Sequence, residues 1–132
     1  EFALDSYKNL DQFIERVEPN EDGAVVLKPD GFMLVETYEK LTLPLEGRLA
    51  ARVEGRSSLA RLGISVHMTA PTVHCGFSGV VYLEVKNEGP FNLKTWPERT
   101  PLCQVVFERV SSEPRRGPTT IFMEQVKPTG KG

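Results

Sequence analysis

The stretch RLAARVEGRSSLARLGISVHM, residues 48–68, changes its period twice within twenty-one residues. Arg48 to Glu54 alternates strictly, with Leu49, Ala51 and Val53 on one face and Arg48, Ala50, Arg52 and Glu54 on the other. That is the pattern of a strand with one buried face. Arg56 to Gly63 breaks the alternation. It is too short for a full helix and wrong for a strand. Ser57 or Ser58 can cap one or two helical turns, and Gly63 can end them. Strand character returns at Ile64 to Met68.

The same texture extends outward. Upstream, Ala24–Lys28 and Phe32–Thr37 read as strands separated by the turn Pro29-Asp30-Gly31, and Leu43–Gly47 reads as a loop. Downstream, Phe77–Asn87, Phe91–Thr95 and Leu102–Val110 read as strands. Leu10, Phe13, Ile14 and Val17 follow helical spacing, so a short amphipathic helix is expected there. Asp5 or Ser6 would cap it, and Pro19 to Gly23 would stop it. From Ser111 the chain is polar and rich in Pro and Gly, and is expected to form an arm over residues 111–132. Many short strands with frequent turns imply an all-β barrel or sandwich, a single domain over residues 1–110.

Composition narrows the functional classes. The chain has 132 residues, with 16 Lys plus Arg against 18 Asp plus Glu, for a net charge of −2. A broad basic surface of the kind that binds nucleic acid is therefore not expected. No apolar run approaches the ~20 residues of a membrane helix, and no signal-peptide pattern opens the chain. Two cysteines are too few for a disulfide scaffold, so a reducing, cytoplasmic setting is expected. The first residue is Glu1 rather than Met, and the chain reads as trimmed or processed.

Three places could carry chemistry. In the 56–63 segment, Ser57 and Arg61 are four apart and share a face, with Arg56 at its start. Serine hydroxyls, guanidinium groups and free helix N–H groups suit an anion, and a capped surface turn explains the same residues. In β-spacing, Val80, Tyr82, Glu84 and Lys86 share one face, opposite Val81, Leu83, Val85 and Asn87. Glu84 in that apolar strand is either paired with Lys86 on a solvated face or a general acid/base facing a pocket. Finally, His67, His74, Cys75 and Cys103 lack the spacing of a zinc site, and no metal-ligating set is expected.

These features stand in an order that resembles the dCTP deaminase family of the trimeric dUTPase-like superfamily. The likeness is strongest in GRSSLARLG (55–63), VHMTA (66–70), GFSG (76–79) and LEVKN (83–87), and extends more weakly over residues 24 to 122. The resemblance implies a dUTPase-like distorted β-barrel or jelly-roll with one short helical turn, beside the minor N-terminal helix. It implies zinc-independent hydrolytic deamination of dCTP, or a related deoxycytidine nucleotide, to dUTP and ammonia. Glu84, Ser57 and Arg61 then stand at catalytic positions. Arg56, Ser57, Ser58, Arg115 and Arg116 would serve the phosphates, and Ala70, Val73, His74 and Phe77 the base and sugar. Mg²⁺ would arrive on the nucleotide phosphates, and the site would lie between subunits of a homotrimer.

The sequence also departs from the family pattern. His74 stands where the superfamily has an aspartate, which sets dUTP pyrophosphatase activity below deamination and leaves a nucleotide-binding regulatory trimer as the alternative. Tyr82 stands where a smaller residue is usual, PERTP (97–101) replaces a glycine-containing turn, and the arm SSEPRRGPTTIFMEQ (111–125) keeps only its Gly-Pro-Thr element. Residues 1–23 are also shorter than the segment that precedes the first strand in the family.

Overall fold

A computed structural model of the chain describes residues 13–112. Eight strands follow in order: β1 (Val25–Leu27), β2 (Phe32–Thr42), β3 (Leu49–Gly55), β4 (Ile64–Ser65), β5 (Thr72–Val73), β6 (Ser78–Asn87), β7 (Leu93–Thr95) and β8 (Cys103–Arg109). A single turn of helix, α1 (Ser57–Ala60), lies between β3 and β4, and a 3-10 turn spans Leu45–Gly47. The strands form three antiparallel sheets, ordered β1-β7, β2-β6-β4 and β5-β3-β8. Together they make a distorted all-β barrel.

All three sheets meet in one core. Leu27 from the first sheet, Leu83 and Val85 from the second and Val53 from the third form one buried cluster. Leu43, Ala51 and Val73 form a second, with Phe77 packed against it. The alternation in β3 and β6 produces this directly. Ala51 and Val53 point inward from β3, while Leu83, Val85 and Asn87 point inward from β6. Burying such side chains contributes roughly 1.5–3 kcal/mol each for the larger ones.

Asn87 is the one buried polar residue of this core, at 0% exposure. Its amide nitrogen donates to the carbonyls of Leu27 (3.0 Å) and Phe91 (2.8 Å), and its side-chain oxygen accepts from the Gly89 N–H (3.0 Å). Its backbone exchanges bonds with the β1–β2 turn, from Asp30 N–H (2.8 Å) and to Gly31 O (3.0 Å). One residue thus joins the ends of β1 and β6 and the start of the run into β7.

Two expectations change, and one strand appears that the spacing does not predict. The helix over Leu10–Val17 is absent from its described part. Phe13 occupies a lone 3-10 position, residues 14–20 are irregular, and Phe13, Ile14 and Val17 are 57%, 38% and 53% exposed. Short helices form when an apolar face is packed, and Ile14 and Val17 are left exposed. Residues 1–12 lie outside the described residues. β2 runs five residues past Thr37 because a register shift between Glu36 and Lys40 absorbs the non-alternating Tyr38-Glu39. There the Thr37 hydroxyl accepts from Val81 N–H (2.9 Å) in place of a ladder carbonyl. β5, two residues long, is too short to give any period and forms only because β3 offers its edge.

Gly63 ends the α1 segment at φ +87° with its backbone against that of Gly89. A Cβ on Gly63 would sit 2.3 Å from the Gly89 nitrogen and 2.5 Å from its Cα. Glu88 N–H donates to Gly63 O across the same contact (2.7 Å). Gly63→Ala is therefore expected to destabilise the fold by about 3 kcal/mol or more, combining overpacking with left-handed strain. Gly23→Ala, at φ +72° with nothing within 4 Å of its Cβ, should cost only about 1–2 kcal/mol. Urea unfolding midpoints of the two variants test the difference, and equal midpoints would contradict the interlock.

Candidate active site

Glu84 projects from the middle of β6 on the face away from Leu83 and Val85. Both of its same-face neighbours on β6 are engaged elsewhere. Lys86 Nζ donates to the Asp30 carbonyl (2.8 Å), and the Tyr82 hydroxyl donates to Glu36 Oε2 (2.8 Å). The Glu84–Lys86 pairing that a solvated strand face would show is therefore absent. Directly across on β2 stands Leu34, an apolar residue. The one hydrogen bond of the Glu84 carboxylate among the described residues is from Met68 N–H, at 3.4 Å, close to the limit for such a bond. A carboxylate held by one weak backbone donor keeps its lone pairs available for proton transfer.

The loop that supplies this donor is itself constrained. Ala70 adopts φ +55°, a left-handed conformation that costs a residue with a Cβ roughly 1–2 kcal/mol. Pro71 follows, and its carbonyl accepts from Val53 N–H (2.9 Å), tying the loop to β3. Backbone strain of this kind beside an unpaired carboxylate is a common property of working sites.

The other residues singled out by sequence fall into distinct places. Val73 is buried in the second core cluster, so its side chain faces the core and only its backbone is left for a base. Phe77 is half-buried against that cluster, and its N–H closes a turn on His74 O (3.2 Å). His74 is exposed at the tip of that turn. The turn is stapled to Leu43 by two backbone bonds of 2.8 Å, Gly76 N–H to Leu43 O and Leu43 N–H to Phe77 O. Val73, His74 and Phe77 are thus set by β5 and the start of β6.

The helical turn is a second centre. Its N-cap is Arg56 in an extended conformation with no side-chain cap bond, so neither serine caps it. Ser57 opens the helix instead, because the Arg56 carbonyl already accepts from Leu59 and Ala60 N–H (2.9 Å each). That frees the Ser57 and Ser58 hydroxyls toward solvent, where both residues are exposed. Arg56 Nη1 donates to Pro101 O (3.2 Å), so part of its guanidinium fastens α1 to the approach to β8. Arg61 is exposed. The Leu62–Gly63 segment that follows α1 sits on the turn after β6, at Glu88 and Gly89, four residues beyond Glu84 and roughly 13 Å along the strand. The candidate residues fall into two half-sets that no hydrogen bond or ion pair among the described residues joins: Glu84 with the 68–77 segment, and Ser57 with Arg56 and Arg61. Arg115 and Arg116 lie outside the described residues.

Among the described residues no three His, Cys, Asp or Glu side chains converge to hold a metal ion. Cys75 Sγ donates to Leu49 O (2.8 Å), and burial, with the charge of Glu39 added, pushes the Cys103 thiol up. A cleft of about 760 Å³ lies between β2 and the 95–103 segment, with Glu36, Cys103 and the 97–101 turn on its wall and neither Glu84 nor Ser57 among its lining residues. Glu36 is the participant that sequence reasoning missed. Only the register, which sets it across from Tyr82, could have found it.

The fold defined by these sheets is that of the dUTPases. The chain is similar to the native dUTPase of EIAV, with a TM-score of 0.57 at 20% identity over 75% of this chain and 76% of that one. The family follows from sequence. A family model described as dCTP deaminase-like matches residues 3–110, and the chain belongs to that family. It is 44% identical over 96 residues to the "dCTP deaminase, dUMP-forming" of Methanothermobacter thermautotrophicus, covering 73% of this chain and 47% of that protein. It is 38% identical over 111 residues to the protein of the same description from Methanosphaera stadtmanae, covering 83% and 55%. The chain spans about half the length of the curated relatives it matches. Among the described residues no helix is long and apolar enough to cross a membrane.

Burial, the hydrogen bond to Glu36 and the charge of Glu36 push the Tyr82 phenol up to about 12 from its usual 10.0. The folded state holds this proton more tightly than the unfolded chain does. The stabilisation is therefore complete below pH 10 and is lost as pH rises from about 10 through 12. An ultraviolet phenolate titration should show a late-titrating step. Tyr82→Phe should remove that step, and its survival in the variant would detach the assignment from Tyr82.

Proposed function

We propose that the chain carries out hydrolytic deamination of dCTP, with Mg²⁺ on the substrate phosphates, and that Glu84 carries the protons. The observation behind this reading is a carboxylate left without an ion pair, beside a strained loop, on a strand whose other charges are tied away from it. In this mechanism Glu84 takes a proton from water as the oxygen attacks C4 of cytosine, and passes that proton to N3. A second proton from the attacking oxygen then reaches the amino group by the same carboxylate. The C4–N bond breaks, ammonia leaves and the C4 carbonyl of uracil forms. The backbone of the 68–73 segment, with His74 and Phe77, is suited to the base and sugar, and Ser57, Ser58, Arg56 and Arg61 to the polar and phosphate contacts.

The product needs one revision. The resemblance implies dUTP as the end point, whereas the relatives are described as dUMP-forming. We therefore propose dUMP, with ammonia and diphosphate released and two waters consumed. Diphosphate release would proceed with His74 where the resemblance implies an aspartate, which weighs against this step, so the diphosphate assay bears directly on that substitution.

We also propose a homotrimer with sites shared between subunits. Two features support it. The two half-sets are separated along β6, and edge strand β8 leaves Val105, Val106 and Phe107 38%, 37% and 58% exposed. An apolar edge of this kind is ordinarily covered by another chain. A cytoplasmic setting accords with the two free cysteines.

Incubation with dCTP and Mg²⁺ and separate assay of ammonia, diphosphate and nucleotide tests the reading. Ammonia with dUMP and diphosphate is expected. Ammonia with dUTP alone would restore the earlier product. Glu84→Gln should lower ammonia release about 10²–10⁴-fold, while calorimetry shows dCTP still bound. Undiminished turnover in that variant would remove Glu84 from its role.

A further inference from the structure

We propose that Tyr82, fixed by Glu36, is the specificity-determining wall of the base pocket in front of Glu84. The inference rests on the role given to Glu84 above and deepens it. Tyr82 and Glu84 are alternate residues of one strand, so their side chains leave the same face of the sheet roughly 7 Å apart. On β2 the partners are Glu36 across from Tyr82 and Leu34 across from Glu84. In a regular antiparallel pair such side chains stand together on one face. Glu84 is therefore bounded along β6 by Tyr82 on one side and Lys86 on the other, with Leu34 opposite.

Of these neighbours Tyr82 alone is aromatic, and it is clamped at its far end. Its hydroxyl donates to Glu36 Oε2 at 2.8 Å, and the phenol stays protonated throughout the working pH range. An aromatic side chain has only two soft torsions, and the bond to Glu36 holds its tip. The ring is then a rigid surface rather than one that swings aside. Lys86 is long and flexible and is drawn away to the Asp30 carbonyl. A pyrimidine brought to Glu84 by its C4 edge is thus limited in width by the Tyr82 ring. The position next to the reacting carbon, C5, is where added bulk would meet it. The wall selects an unsubstituted or small-substituted cytosine and rejects a larger one.

The test is the affinity of dCTP, 5-methyl-dCTP and 5-propynyl-dCTP, measured by calorimetry in a Glu84→Gln background so that no turnover intervenes. In the parent chain the propynyl analogue should bind at least about tenfold more weakly than dCTP, the scale of rejection that a poorly fitting pocket supplies. Tyr82→Ala should erase most of that ratio and weaken dCTP itself severalfold. Tyr82→Phe keeps the ring without the clamp and should fall between. Glu36→Gln still offers an acceptor oxygen and should resemble the parent, whereas Glu36→Ala should resemble Tyr82→Phe. In the otherwise unchanged chain the Tyr82 variants should raise KM for dCTP more than they lower kcat.

An unchanged propynyl-to-dCTP ratio in Tyr82→Ala, with the thermal midpoint near that of the parent, would overturn the proposal while leaving Glu84 in place. Tyr82-dependent selectivity without ammonia release would uphold the wall and overturn the deamination reading. Failure of the chain to bind any of the three nucleotides would overturn both.

Discussion

The buried amide of Asn87 is the constraint on which the rest of the structure depends. At the end of β6 it satisfies two carbonyls and one N–H from two backbone segments, β1 at Leu27 and the turn at Gly89 to Phe91. A primary amide is suited to this, having two donors and an acceptor on one rigid plane. The Leu27 carbonyl and the Gly89 N–H would be buried unsatisfied groups without it, at about 1–3 kcal/mol apiece. Its bonds fix β1 and the Gly89 turn relative to β6. The Gly89 turn then fixes Gly63, because the two glycine backbones approach more closely than any side chain allows. The position of α1, and hence of Ser57 and Arg61, follows from Asn87 through two glycines.

The same strand displays the candidate chemistry on its other face. β6 buries Leu83, Val85 and Asn87 while presenting Tyr82, Glu84 and Lys86 outward. A rigid inner face gives the outer face a fixed frame, which a site built on strands requires. The two flanking polar groups are then satisfied elsewhere, by Glu36 and by Asp30. Glu84 is left with a single long backbone bond. The carboxylate is available because its neighbours are occupied rather than because it is remote from charge.

The arrangement within one chain is divided. Glu84 and the 68–77 segment stand four residues along β6 from the turn that holds α1, while β8 presents valines and a phenylalanine with no cover among the described residues. Apolar area on an edge strand and a split set of polar residues are two aspects of one geometry. Contact between chains would remove the first from water and complete the second.

The all-β architecture and the two candidate centres were legible from residues 48–63 and 80–87 because strand alternation has a period of two and a helical turn does not. Ala51, Val53, Leu83, Val85 and Asn87 all lie inward, as their spacing requires. The family was equally legible, since its motifs are local runs of residues. Over Phe13–Val17 the periodic stripe misled, because helical spacing alone does not stabilise a short helix. Spacing also could not tell that Lys86 would turn to Asp30 or that Val73 would be consumed by the core. Nor could it tell that Arg56 would reach Pro101 or that Glu36 would hold Tyr82. Each of these depends on the register between strands distant in sequence. Residue types and their faces were thus determined by the sequence alone. Tertiary structure decided which polar group each one meets, because hydrogen-bond partners are chosen by through-space distance.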